Sequence, residues 1–271
     1  MQRKQLADSI LKKLTTNKNQ LSEFYNASNS AISYFYIDDV LPKAIIEKAN
    51  TVFPASDALY LKKSLKQNKY VSAQMNSHNP LLEELLFAFQ DKRIVKLIEE
   101  VCSIEEAIEA DDNLYAGGIS LMNKGCFLNP HLDNSHDAER SRWRVLNLLF
   151  YITPDWKLEY GGNLELWPEG VKGNSIEILS KCNRLVVMST HDTSWHSVNE
   201  VKVDRARKCI SNYYFSAQPL EKHKEFHVTT FKGRPNQKLR TAILNADSNL
   251  RMGIRKLFKK GIRKNPHIYK K

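Results

Sequence analysis

A mainly β fold with flanking α-helices, of the sandwich or jelly-roll kind, is what three features of this 271-residue chain predict. From Leu114 to Gln218 the sequence breaks into short runs rich in β-branched and aromatic residues, separated by Gly, Pro, Asn and Asp. The segments before and after carry apolar residues at helical spacing. The β-rich runs follow one another without helix-length patterns between them, which argues against a parallel α/β sheet.

Taken in order, residues 1–28 place Leu6, Ile10, Leu11 and Leu14 at helical spacing among charges, which predicts an amphipathic helix. AISYFYIDDVLP (31–42) reads as a strand closed by Pro42, and KAIIEKANTVF as the helix after it. PLLEELLFAFQDKRIVKLIEEV (80–101) opens with Pro80 after Asn79 and predicts one or two helices. Strands are then expected in LYAGGISLM, WRVLNLLFYIT, GNLELWP, SIEIL, RLVVMST and KCISNYYFSA. Beyond residue 220, Leu250, Ile254, Leu257, Phe258 and Ile262 form an apolar stripe among Arg251, Arg255, Lys256, Lys259, Lys260, Arg263 and Lys264, a basic amphipathic helix. The expected organisation is a helical N-terminal region with a first strand (1–113), a β core (114–220) and a basic helical extension (221–271), forming a single catalytic domain.

Composition narrows the function classes. No stretch approaches the roughly 18 to 20 uninterrupted apolar residues of a spanning helix, and MQRKQLADSILKKL lacks the apolar segment of a secretory signal, so a cytoplasmic protein is expected. The four cysteines form no CxxC pair, which speaks against a zinc ribbon or a disulfide framework. The net charge of +11 lies in the tail: residues 221–271 hold 15 Lys/Arg and 3 Asp/Glu, against 26 and 27 before them. An electrostatic partner of the tail is implied, an anionic membrane surface in preference to nucleic acid.

The chemistry rests on His131-Leu132-Asp133. On a strand an HxD puts both side chains on one face, but about 0.4 such motifs would arise by chance in a chain of this composition. His196, in SWHSV, can return from a later strand to complete two histidines and one carboxylate. That facial arrangement leaves three positions open and is associated with non-haem iron(II) oxygenases. His136 and His191 read as structural. Arg207 opens RKCISNYYF, where Arg207, Cys209, Ser211 and Tyr213 share a strand face, so its guanidinium can enter the same cavity and grip a carboxylate. Arg205 is the competing assignment, and Lys208 should point outward.

Across residues 114–218 the chain resembles the prolyl-hydroxylase branch of the 2-oxoglutarate/Fe(II) oxygenases. The matching features are Gly125 and Phe127-Leu128 before HLDN, Arg144 opening RVLNLLFYITPDW, Gly161-Gly162 in GGNLELWPEG, NRLVVMS, SWHSV and RKCISNYYF. The resemblance implies a double-stranded β-helix, cupin-like, with Fe(II) on His131, Asp133 and His196, and with O2 and 2-oxoglutarate as co-reactants and ascorbate as an optional reductant. Arg207 and Tyr151 would hold the far carboxylate of 2-oxoglutarate. Asn147 and Leu149 share the Tyr151 strand face and should line the pocket. No catalytic side chain beyond the metal centre is implied. One departure stands out: Met122 replaces a tyrosine found in many relatives, which puts cosubstrate contacts on that strand in doubt. The intact carboxylate of HxD favours hydroxylation over halogenation.

For the substrate, Arg144 and Asn134 are the expected contacts, with Asn134 to Arg144 and the N-terminal helices framing the entrance; Arg140 and Arg142 read as solvated. An acidic sugar of a lipid-linked, Kdo-like glycan is the expected substrate class, with the tail helix held peripherally at the inner face of the membrane. Peptidyl proline, a free amino acid and a non-catalytic binding module are the alternatives.

Overall fold

The computed structural model describes residues 2–28, 32–220, 226–257 and 269–270, with the side chains of 255–257 left aside. Six helices and thirteen strands are seen among them. The helices are α1 (Arg3–Thr16), α2 (Lys18–Ala27), α3 (Lys43–Thr51), α4 (Pro80–Ala88), α5 (Lys92–Val101) and α6 (Lys238–Leu257). The strands are β1 (Tyr34–Ile37), β2 (Tyr60–Lys63), β3 (Gln67–Ser72), β4 (Ile108–Ala110), β5 (Gly118–Met122), β6 (Phe127–Leu132) and β7 (Trp143–Tyr151). They continue with β8 (Leu164–Leu166), β9 (Ile176–Ile178), β10 (Arg184–Ser189), β11 (His196–Val198), β12 (Arg207–Ser216) and β13 (Thr230–Phe231).

All recorded pairings are antiparallel, in the order β1-β10-β7-β12-β5-β3-β6-β11-β8-β9, and the sheet curls on itself as a jelly roll. β3 is the seam. Its Tyr70, Val71 and Ser72 pair with β5, while Gln67 and Asn68 pair with β6. One half of the sheet therefore carries β7 and β12, the other β6 and β11, and the two halves face each other across the cavity.

Strand alternation separates the two faces. Leu146, Leu148 and Phe150 of β7 and Ile210 and Tyr214 of β12 look outward into a core shared with Leu6, Ile10, Leu14, Leu82, Leu85, Ile94 and Ile98 of the helices. Each such leucine or isoleucine contributes about 1.5–3 kcal/mol by leaving water. Lys208, also outward, donates from Nζ to the Asn50 carbonyl at 2.8 Å. The inward residues Leu149, Tyr151 and Cys209 pack instead with Leu164, Leu166, Val186 and Met188.

Local signals account for the helix starts. Asn79 caps α4 by accepting from Leu81 N at 3.0 Å, with Pro80 in the first turn, and Asp91 caps α5 by accepting from Arg93 N at 2.9 Å. The segment 1–28 differs from expectation in forming two helices. Asn17 ends the first, its Nδ2 donating to the Lys13 carbonyl at 2.8 Å.

The tail also differs. Leu244 and Ser248 face inward from α6, and Arg251 and Ile254 border a cleft, whereas Leu239, Ile243 and Leu250 are 77, 46 and 67% exposed. The outward apolar stripe therefore runs toward the helix start, because Ile254 turns toward the cleft; Phe258, Ile262 and Lys259 to Lys264 lie outside the described residues. Among the described residues no helix is long and apolar enough to cross a membrane.

Candidate metal centre and cofactor site

β6 and β11 pair so that His131 and His196 stand directly opposite, their rings 4.1 Å apart. Asp133 follows one residue past the end of β6 and turns back toward both: His131 Nε2 lies 3.6 Å from Oδ1 and His196 Nε2 3.7 Å from Oδ2. Ligand atoms of the three residues all fall within 4.8 Å of one another, and no other such group of three occurs among the described residues.

The tautomers are fixed from behind. His131 Nδ1 is 3.0 Å from the Asn129 carbonyl and His196 Nδ1 is 2.9 Å from the Ser194 carbonyl. A carbonyl only accepts, so each Nδ1 carries a proton and each Nε2 is turned to the centre. Burial, reinforced by the neighbouring His196, takes the His131 pKa down to about 3, so the ring is neutral. Burial alone would raise Asp133, but Arg144 and the two histidines outweigh it and hold the carboxyl at about 2. Asp133 Oδ2 is buried without a hydrogen-bond partner. The neutral His131 ring, a second imidazole turned to the same point and a carboxylate oxygen without a partner suit a divalent cation with open positions.

A second group of side chains lies on the facing half of the sheet. Arg207, only 3% exposed, stacks 4.6 Å over the Tyr151 ring and donates from Nε to Ser180 Oγ at 3.4 Å. No carboxylate pairs with it among the described residues. The buried Tyr151 hydroxyl and Asn147 Oδ1 likewise have no hydrogen-bond partner, and burial pushes the Tyr151 pKa up to about 12, keeping it a donor. A buried guanidinium beside a buried phenol is a donor set that suits a carboxylate. The donor set fits 2-oxoglutarate. Arg205 is excluded from this role, since it is exposed and donates to the carbonyls of Pro154 and Asp155 at 2.8 and 3.2 Å.

Gly161 and Gly162 make room for this wall. Both have positive φ, at 69° and 67°. A Cβ on Gly161 would lie 1.9 Å from the Glu200 carbonyl oxygen, and one on Gly162 would press on Val201 and approach the Arg207 stem.

Beyond the triad opens a cleft of about 680 Å³, bordered by Lys62, Lys66, Lys69, Arg144, Tyr213 and Arg251 among others. Arg144 reaches Asp133 Oδ1 at 3.4 Å, donates to Asn134 Oδ1 at 2.6 Å and lies 4.4 Å over the Tyr213 ring. The N-terminal helices do not frame this entrance: α1, α4 and α5 are engaged in the core on the outer face, and β2, β3, α6 and residues 228–231 supply the walls instead. Arg142 pairs with Asp137 at 3.1 Å and with Glu109, which accounts for its charge away from the cleft. His136 borders the cleft, and His191 Nδ1 lies 2.9 Å from Thr193 Oγ1.

Sequence reasoning missed Ser180, Lys69 and Phe231. Phe231 pairs with His131 across β13 and stacks on its ring at 5.1 Å. A two-residue strand far along the chain leaves no periodicity to read; the lysine in QNKYVS carried a signal only through alternation.

Residues 117–216 match the model of the 2OG-Fe(II) oxygenase superfamily. Over that stretch, 100 of its 271 residues, this chain is similar to a 2OG-Fe(II) oxygenase domain. It is an enzyme of the 2-oxoglutarate-dependent Fe(II) dioxygenase class, with Fe(II) and 2-oxoglutarate as cofactors. Among solved structures it resembles a Pseudomonas putida prolyl-4-hydroxylase at 16% identity and TM-score 0.54, over 73% of this chain and 99% of that one. A prolyl 4-hydroxylase from Phytophthora capsici matches at 16% and 0.53, over 78% of this chain and 65% of the other. A prolyl hydroxylase from Trichoplax adhaerens, in complex with a hypoxia inducible factor oxygen degradation domain peptide fragment, matches at 14% and 0.50, over 75% and 92%. At these identities the likeness establishes the shared fold.

Proposed function

We propose that His131, Asp133 and His196 hold Fe(II), that Arg207 and Tyr151 bind the distal carboxylate of 2-oxoglutarate with Asn147 and Leu149 lining the pocket, and that the enzyme hydroxylates an aliphatic C–H of an anionic substrate. The observation that carries the reading is that the inner face of one curled sheet presents two donor sets, the two Nε2 atoms with the unpartnered Asp133 oxygen on one half and the Arg207 and Tyr151 wall on the other.

Bound iron and 2-oxoglutarate supply oxidation by O2, with succinate and CO2 released as the substrate is hydroxylated. The protein's own residues do the rest. Asn129 and Ser194 carbonyls orient the two imidazoles, Phe231 shields His131 from water, and Arg144 keeps Asp133 ionised and aimed. Residues 114–220 carry the reaction; within 1–113 the helices pack behind the sheet while β2 and β3 join it and wall the cleft, and residues 228–231 with α6 cover one side of the entrance.

The substrate class follows from charge. Among the described residues the cleft is bordered by Lys62, Lys66, Lys69, Arg144 and Arg251, with Asp133 the one lining carboxylate and Asp247 pairing with Lys66 and Arg251 beside it. Such a lining favours an acidic group, as on a lipid-linked acidic sugar, over a neutral prolyl peptide. Arg144 and Asn134 are the substrate contacts nearest the metal. The exposed Leu239, Ile243 and Leu250 on α6, next to basic residues, support peripheral contact of this helix with an anionic membrane.

The test is succinate formation from 2-oxoglutarate with Fe(II), screened against acidic sugars with and without a lipid, proline-containing peptides and free amino acids. Stimulation by an acidic sugar and none by proline peptides is expected. Stimulation by peptides or amino acids alone would reverse the substrate assignment, and an iron-loaded protein that never consumes 2-oxoglutarate would reverse the enzymatic one.

A further inference from the structure

Met122 faces Arg207 directly across β5 and β12, yet offers only a thioether, 3.8 Å from Arg207 Nη1. The next strand outward is β3. Tyr70 pairs with Leu121 of β5 and Asn68 with Phe127 of β6, so Lys69 sits between them, at the point where β3 passes from one half of the sheet to the other. Alternation puts Lys69 on the inner face, beside Met122. It borders the cleft together with Asp133 and Tyr213, and lies within electrostatic reach of Asp133 on one side and of Arg207 and Cys209 on the other.

Two features make this ammonium hard to explain as a structural residue. It has no ion pair or hydrogen bond among the described residues, although Lys66 nearby pairs with Asp247 at 2.6 Å. It also stands opposite Lys62 in the β2–β3 ladder, a like-charge pairing that costs stability. Burial, helped by Lys62, lowers its pKa to about 8, which leaves it mostly charged at neutral pH.

We propose that Lys69 is a cosubstrate ligand: its ammonium donates to a carboxylate of 2-oxoglutarate lying between the Asp133 and Arg207 ends of the cavity, the contact that Met122 cannot make. The inference rests on the cofactor assignment above. A dianion then meets a guanidinium, a phenol and an ammonium from three different strands, and the repulsion between Lys62 and Lys69 is relieved when it binds. The seam position makes the contact depend on both halves of the sheet being assembled.

The test is calorimetric binding of 2-oxoglutarate to the protein loaded with Mn(II), comparing the wild type with K69M and K69R. Methionine matches the lysine stem and removes the repulsion with Lys62, so K69M should fold. The expected result is a loss of affinity of 10-fold or more in K69M, with most of the affinity retained in K69R. Unchanged binding in K69M overturns the proposal, as does an equal loss in both variants, which would show a packing effect. Failure of the wild type itself to bind 2-oxoglutarate would remove the cofactor assignment on which the proposal rests, and is distinguished by that alone.

Discussion

His131 and His196 are cross-strand partners, and the carbonyl two residues before each ring fixes its tautomer: Asn129 O at 3.0 Å and Ser194 O at 2.9 Å from the respective Nδ1. The same local device on two strands turns both Nε2 atoms to one point. Because those holding contacts come from the backbone, the orientation of both rings is set by the strands themselves.

Tyr151→Phe separates binding from stability. Removing the hydroxyl should raise the KM for 2-oxoglutarate roughly 10-fold, as expected for loss of one hydrogen bond to a charged group. The melting temperature of the cofactor-free protein should stay level or rise, because that hydroxyl is buried without a partner there. Steady-state kinetics and thermal melts of the same preparation check both halves; a fall in melting temperature with unaltered KM would assign Tyr151 to the core.

Arg207→Lys keeps the charge but replaces the planar fork with a point charge. The KM for 2-oxoglutarate should rise about 10- to 100-fold, from lost charge-assisted hydrogen bonds of roughly 1.5–3 kcal/mol. Metal affinity should be unaffected, since Arg207 touches none of the three residues of the triad. A titration with Mn(II) alone, followed by one with 2-oxoglutarate, resolves the two effects.

Gly161→Ala should be poorly tolerated. The added carbon meets the Glu200 carbonyl at 1.9 Å in a left-handed backbone, so a loss of about 2–4 kcal/mol is expected. Denaturant melts measure it, and Gly170→Ala is the comparison: φ is also positive, but nothing lies within 4 Å of the added carbon.

Asp38 gives the pH dependence of the scaffold. It accepts from Arg184 at 2.6 and 3.0 Å and from Lys181 at 2.8 Å. Burial raises its pKa, but these hydrogen bonds and charges prevail and hold it below the usual range. The folded pKa is depressed, so its stabilisation is complete above the unfolded value near 4 and disappears as pH falls through the folded value. Asp38→Asn should therefore lower stability at pH 7 by about 1–2 kcal/mol, with the gap to wild type narrowing below pH 4. Melts across pH 3–7 provide the check.

His131 and Asp133 were legible as a pair through the two-residue strand period, although Asp133 lies just past the end of β6, His196 through its place in SWHSV on a later strand, and Arg207 because the same period links it to Cys209 and Tyr213. The β2–β3 hairpin was not. YLKKSLKQNKYVS carries Lys62, Lys63, Lys66 and Lys69, which look like a solvated loop, and its strands exist through pairing to β5 and β6. The face that α6 turns to the cleft was hidden for a related reason. Helical spacing groups Leu250 with Ile254, but only packing against β13 decides which side is inward. Local periodicity therefore pointed to residues that the fold brings together, while the walls of the cleft depended on contacts between segments far apart in sequence.

The most direct measurement is anaerobic titration of Fe(II) and 2-oxoglutarate into the protein, followed by the charge-transfer absorption that arises when an iron(II) centre chelates a 2-oxo acid. The wild type should develop the band with one iron per chain, and His131→Ala and His196→Ala should abolish it while remaining folded. A band of full intensity in either variant would contradict the assignment of the metal centre to these residues.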